Sequence, residues 1–174
     1  MISQTAEYAL RAIVYLADHP GEAHTAERIA AGTKVPVGYL AKIMQGLSKS
    51  KLVTSQRGLY GGFTLVKAAA DLTIYEVVQA VDPINRITSC PLGIENHGND
   101  LCPLHRGLDN AMGGVEMTFR RTTIQQLLSQ TGENRPLCGF PLLAEAARTA
   151  KLADKATEKT DKTTEKADKP VKKP

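Results

Sequence analysis

The stretch that most limits how this chain can fold runs from Val35 to Val66, VPVGYLAKIMQGLSKSKLVTSQRGLYGGFTLV. Pro36, near its start, has the fixed φ of a first helical turn, and its missing N–H is no loss there. Tyr39, Leu40, Ile43, Met44 and Leu47 then recur at three- and four-residue spacing, which makes one side apolar and leaves Lys42, Gln45, Ser48 and Lys49 facing outward. After Lys51 the period drops to two. Val53, Ser55 and Arg57 alternate with Thr54 and Gln56, Arg57-Gly58-Leu59-Tyr60-Gly61-Gly62 supplies turn residues, and Phe63-Thr64-Leu65 returns. The pattern predicts helix, strand, Gly-rich turn, strand.

Upstream, Thr25 is placed to cap a short helix, AERIAAG, with Gly32 and Thr33 in the turn before Val35 and Pro36. Two helices, a turn and a hairpin in this order fit a winged helix-turn-helix, whose second helix enters the DNA major groove while the hairpin reaches an adjacent groove or the backbone. The candidate DNA-binding residues are Gly38, Tyr39, Lys42, Gln45, Lys49, Arg57, Gly58 and Tyr60. Gln pairs with adenine and Lys with guanine or phosphate, which makes Lys42 and Gln45 the candidate base readers. Ser48, Lys49 and Lys51 suit the phosphate backbone, and Gly58, Gly61 and Gly62 suit a tight turn. An amphipathic helix beside an ordinary hairpin has the same local marks, and Lys42 would then touch phosphate at most.

Charge agrees with a polyanionic partner but does not prove one. Residues 1–70 hold eight Lys/Arg against four Asp/Glu, residues 71–150 six against nine, and residues 151–174 eight against five. Positive charge therefore collects on the reading head and the tail. No apolar run approaches the roughly 20 residues that span a bilayer, and MISQTAEYALRAIVYLADHP carries Glu7 and Arg11 inside its apolar stripe, unlike a signal peptide. Three cysteines are too few and oddly numbered for a secreted disulfide framework. The expectation is a cytoplasmic chain with no membrane partner.

Along the chain, a first helix is expected from about Ser3, its N-cap, to Ala17, burying Ala6, Ala9, Leu10, Ile13, Leu16 and Ala17. Thr73 should cap a helix through Val81 that ends at Asp82-Pro83. From Pro103, Leu104, Leu108, Met112, Val115 and Phe119 step along one side of a long helix that needs a partner. Thr123 and Gln126 form a capping box for a short last helix. The expected division is 1–82 for the winged helix-turn-helix, 83–102 for a metal or redox loop, and 103–130 for the long helix and its short successor. Residues 131–150 are left unassigned, and the Lys-rich repeats of 151–174, almost without large apolar side chains, are expected to be disordered.

The unusual chemistry lies in the loop SCPLGIENHGNDLCPLHR, as Cys90-x6-His97-x4-Cys102-x2-His105. Thiolate and imidazole ligands suit zinc or an iron-sulfur cluster. A metal-free loop, or a Cys90/Cys102 dithiol that closes on oxidation, uses the same residues. Cys138 has no partner by spacing and is read as structural. H-x-x-E-H, G-x-S-x-G and phosphate-loop motifs are absent, and no acid/base carboxylate pair is evident, so an enzyme is not expected.

The phrase GYLAKIMQGLSKSKLVTSQRGLYGGFTLVKAA followed by LTIYEVVQAVD resembles the signature of the Rrf-type bacterial regulators, over about residues 1–130. That family includes the repressor of iron-sulfur cluster assembly, the nitric-oxide-sensitive repressor and the repressor of cysteine metabolism. The resemblance implies a mostly α-helical winged-helix repressor with a two-stranded wing and a long dimerisation helix. Its partners would be a double-stranded DNA operator and a second copy of itself, in an antiparallel contact of the long helices. Arg57 corresponds to a minor-groove arginine of the family. Cluster-bearing members have three cysteines across the loop. Cys90 and Cys102 match the outer two and His105 a following histidine, while the middle cysteine is missing, with Asn96 near its place. The expected cofactor is therefore a [2Fe-2S] cluster on Cys90 and Cys102 plus two of His97, His105 and Glu7 of the partner subunit, with zinc or no metal as alternatives.

Overall fold

A computed structural model describes residues 2–58, 61–91, 100–129 and 136–137. Among these residues, six helices and one hairpin follow in the order α1 (Gln4–Ala17), α2 (Ala26–Thr33), α3 (Val37–Lys49), β1 (Val53–Gln56), β2 (Gly62–Leu65), α4 (Ile74–Val81), α5 (Pro103–Arg121) and α6 (Ile124–Leu128). Hydroxyl caps start four of the helices. Ser3, Thr25, Thr73 and Thr123 accept from the backbone N–H groups of Ala6, Arg28, Glu76 and Gln126. At Thr73 and Thr123 the side chain of the third residue reaches back to close a full capping box. No described helix is long and apolar enough to cross a membrane.

α1 is the centre of the core, in contact with α2, α3, α4, α6 and β2. Because it is covered on several sides, its burial is wider than one apolar stripe: Ala12, Val14 and Tyr15 join Ala6, Ala9, Ile13 and Leu16, whereas Leu10 and Ala17 are half-buried. Ile29, Leu40, Met44, Leu47, Leu72, Val77 and Ile124 close the same core. Each such side chain contributes on the order of 1.5–3 kcal/mol through burial.

Three local expectations are corrected. Gly32 and Thr33 do not form the turn but end α2. Gly32 is there because a Cβ would collide with the Tyr15 ring, and the Thr33 hydroxyl donates to the Ile29 carbonyl at 2.7 Å. The turn is made instead by Lys34 in the left-handed region, φ 53°. Pro36 is the N-cap of α3 and not its first helical residue. Tyr39 leaves the apolar side of α3: it is 41% exposed, and only Leu40, Ile43, Met44 and Leu47 are buried.

The wing pairs Val53 with Leu65, Thr54 with Thr64, Ser55 with Phe63 and Gln56 with Gly62 in an antiparallel register. Burial along β1 does not alternate, for Val53 alone is inside. β2 is anchored from its other edge, where the Phe63 N–H donates to the His24 carbonyl at 2.8 Å and the His24 N–H to the Phe63 carbonyl at 3.1 Å. A second bridge joins the starts of α4 and α6. Ile74 N–H donates to the Thr122 carbonyl at 3.0 Å, and Ile124 N–H to the Leu72 carbonyl at 2.8 Å.

Candidate DNA-reading face and Cys/His centre

Gly38, Lys42, Gln45 and Lys49 are all exposed on α3, and a Cβ on Gly38 would meet nothing within 4 Å. The helix buries Leu40, Ile43, Met44 and Leu47 on the other side, so core packing fixes which residues it offers outward. Tyr39 is held against α1 by its hydroxyl, 2.8 Å from the Thr5 hydroxyl, and by an edge contact with the Tyr8 ring at 5.6 Å. Arg57 and Gly58 are exposed where β1 ends, with Gly58 at φ 116°, a conformation that a Cβ opposes. Tyr60 lies outside the described residues.

Cys90, Cys102 and His105 come together. One ligand atom from each lies within 4.8 Å of the others. His105 Nδ1 stands 3.2 Å from Cys102 Sγ and 3.7 Å from Cys90 Sγ. Cys102 is the N-cap of α5, with Pro103 at its first position, and His105 follows one turn in, so the helix start presents both donors to one side. Cys90 is buried and arrives on the irregular arm after α4. Two soft thiolates and an imidazole suit zinc or iron, which require a fourth ligand for a tetrahedral site. His97 and Cys138 lie outside the described residues. Glu7 is exposed on α1 and ion-paired with Arg11 one turn on.

The arm carrying Cys90 is tied to α5 by a clamp that sequence reasoning did not find. Arg86 donates from Nε to Asp109 Oδ1 at 2.7 Å and from Nη2 to Asp109 Oδ2 at 2.6 Å, while the Ile87 N–H donates to Asp109 Oδ1 at 2.9 Å. Its Nη1 is 3.5 Å from Glu116 Oε2. Glu116 also pairs with Arg120 at 2.8 Å, and the Arg120 guanidinium sits 3.5 Å over the Tyr75 ring of α4. Hydrogen bonds from Arg86 hold the Asp109 carboxyl below its ordinary range; those from Arg120, with Arg86 behind them, do the same for Glu116. The one sequence signal was Gly113, where a Cβ would lie 2.9 Å from Arg86 Nη1.

His24 was also missed. Its ring is fully buried, stands edge-on to Tyr15 at 5.2 Å and to His19 at 4.9 Å, and neither ring nitrogen has a hydrogen-bond partner among the described residues. Burial, then the charges of Arg28 and His19, push its pKa down, against a smaller opposing effect of Glu22, whose carboxylate is 3.5 Å from Nε2. A lone histidine before a cap residue gave no sequence sign of this.

The family model described as Rrf2, iron-dependent transcriptional regulator, matches residues 2–130. The chain belongs to the Rrf2 family. A provisionally named HTH-type transcriptional regulator of Aquifex aeolicus is 30% identical over 132 residues, 74% of this chain and 92% of that protein. YwgB of Bacillus subtilis, provisionally named in the same way, is 40% identical over 77 residues, 44% of this chain and 49% of that one. Among solved structures, CymR of B. subtilis, titled the global cysteine regulator, is 25% identical with a TM-score of 0.63, covering 76% of this chain and 98% of that chain. T. potens IscR has the same TM-score at 20% identity, covering 76% and 89%, which shows the shared fold. The chain is therefore a winged-helix transcriptional regulator of the Rrf2 family, and its relatives point to regulation of transcription and not to catalysis.

Proposed function

We propose that the protein is a homodimeric, sequence-specific repressor that grips a double-stranded DNA operator with α3 and the wing, in the cytoplasm, and takes its signal at Cys90, Cys102 and His105. The observation that carries the input site is the convergence of three soft donor atoms within 4.8 Å at the start of α5. Dimerisation is supported by that same helix: Leu104, Leu108, Val115 and Met117 are exposed along it, and no residue of α5 is fully buried. A two-fold contact between such helices is the commonest way to cover a self-complementary stripe. On this reading residues 1–82 are the reading head, 83–102 the sensing arm, and 103–130 the dimer helix with its short successor.

DNA recognition divides between the elements by chemistry. Lys42 and Gln45 reach base edges, Lys49 neutralises phosphate, and Arg57 enters the minor groove beside the half-site. Two heads on one duplex must match a spacing near one helical turn, roughly 34 Å, so a shift in the dimer helix changes affinity at both. For the input, the donor set fits a [2Fe-2S] cluster held by Cys90, Cys102 and His105, with His97 or Glu7 of the partner subunit completing it. A bound cluster would supply sensitivity to oxidant, nitric oxide or iron status. The chain's own part is to hold two thiols and one imidazole on two segments that close together only when the arm lies on α5.

A second reading, zinc or a metal-free thiol pair, is favoured by the compactness of the three donors, since ligands on opposite irons of a cluster stand farther apart than ligands on one ion. The likeness to CymR, a cysteine regulator by its title, also supports a thiol input. Anaerobic purification of the full chain, with iron, sulfide and zinc analysis and an operator-affinity measurement for each form, tests both. Equal affinity for loaded, metal-free and oxidised protein would sink the sensing role and leave only the DNA-binding one.

A further inference from the structure

We propose that Arg86, seated against Gly113 of α5, is the positioning residue that brings Cys90 to Cys102 and His105, so that the input site exists only while this clamp is closed. The inference rests on reading that Cys/His group as the input site. The three donors come from two segments: Cys102 and His105 belong to the first turn of α5, whereas Cys90 arrives on an arm without helix or strand. Something must hold that arm in register. Asp109, one turn beyond His105, accepts two hydrogen bonds from the Arg86 guanidinium and a third from the Ile87 N–H, three residues before Cys90.

The fork geometry matters more than the charge. A planar guanidinium bonded to both carboxylate oxygens fixes orientation as well as distance, which an ammonium on a flexible stem does not. Its position is set by shape as well: an added Cβ on Gly113 would stand 2.9 Å from Nη1, 3.0 Å from Cζ and 3.1 Å from Nη2, so the guanidinium lies flat on the bare backbone of the helix. At Gly114, the next residue, a Cβ would meet nothing within 4 Å. The two glycines therefore separate the clamp from the helix. Both Ala substitutions add helix propensity, and only Gly113→Ala displaces Arg86.

The test uses the full chain in a Cys138→Ser background, without air, with Co2+ as the metal probe. Its thiolate charge-transfer absorption reports how many thiolates bind. Arg86→Gln and Gly113→Ala should weaken Co2+ binding by about 10–100-fold, the usual effect of losing a group that orients a ligand, and should lower the charge-transfer intensity by the share of one thiolate. Gly114→Ala should match the parent, and Arg86→Lys should fall between. A second readout needs no metal: diamide takes two electrons and two protons from Cys90 and Cys102, forming one S–S bond and the reduced hydrazine. That closure should slow in Arg86→Gln and Gly113→Ala but not in Gly114→Ala. Unchanged Co2+ affinity, intensity and closure rate in both clamp variants would overturn the proposal. If the parent itself takes no Co2+, the metal reading fails, and the closure rates alone decide the role of Arg86: slower upholds it, equal overturns it.

Discussion

His24 and Phe63 exchange both of their backbone hydrogen bonds, at 2.8 and 3.1 Å, and through this pair the wing is fastened to the segment that leads into α2. The wing is thus three strands wide at one point, although only two of them are regular. This extra pairing adds to the packing of β1 on α3 and of β2 on α1 in fixing the wing's aim, and it matters because a two-stranded hairpin alone is marginal in water.

Gly62, beside Phe63, is where this fastening is most easily broken. A Cβ there would lie 2.6 Å from the His24 carbonyl carbon and oxygen, which are backbone atoms with little room to give. Gly62→Ala should cost about 1–3 kcal/mol of stability and weaken operator binding beyond that loss, as the wing swings off its seat. Urea unfolding and operator titration of the same preparation check both effects; full operator affinity in a destabilised variant would show that the wing's aim is not what counts.

Acid should loosen the same place. Burial first, then Arg28 and His19, keep His24 below the ordinary value near 6.5. The folded chain therefore takes up this proton at lower pH than the unfolded chain does, so the neutral ring's stabilisation is complete above about pH 6.5. It is lost as pH falls from there through the folded-state value. The urea midpoint should drop between pH 7 and pH 5, and a His24→Leu variant should drop less. Equal slopes would assign the pH dependence to groups other than His24.

Arg57 stands exposed at the end of β1. Arg57→Ala should weaken specific operator binding by about 1–3 kcal/mol and reduce the salt slope by about one, without moving the unfolding midpoint. Binding measured over a range of salt distinguishes a base reader from a bystander, which would leave the slope intact.

Leu108 is half exposed on α5 between Leu104 and the Met112–Val115 region. Leu108→Glu puts a charge into the expected two-fold contact and should yield monomers in sedimentation. Because the two heads then bind separately, operator affinity should fall about 10²–10⁴-fold. A dimer that survives this change would move the interface elsewhere.

Local structure was legible in the residues because it is encoded locally. The caps Ser3, Thr25, Thr73 and Thr123, the burial of Leu40, Ile43, Met44 and Leu47 on α3 and the pairing of the hairpin follow from spacing and turn chemistry, whereas the apolar-side placing of Tyr39 and the alternation of β1 do not hold. Tertiary pairings were not legible. Gly32 looks like a turn residue until the Tyr15 ring is seen to occupy the place of its side chain. Gly113 and Gly114 of α5 fit a kink or a close helix crossing by residue type, but what lies against Gly113 is the Arg86 guanidinium, and a Cβ on Gly114 would meet nothing within 4 Å. Cys90, Cys102 and His105 were identified as donors by residue type, but the Arg86–Asp109 clamp spans 23 positions and has no motif.

The hydrogen bonds from Ile74 to Thr122 and from Ile124 to Leu72 fix the last turn of α5 to the start of α4. At about 1.5 Å per residue, 19 residues make a boom roughly 28 Å long. Cys102 and His105 sit at its far tip, and a tilt of only about 2° about the fastened end would carry them about 1 Å at that length. On the proposed sensing role, a chemical event at the tip would act on the head as torque about that fastened end, with the Arg86–Asp109 clamp setting how far the tip can tilt.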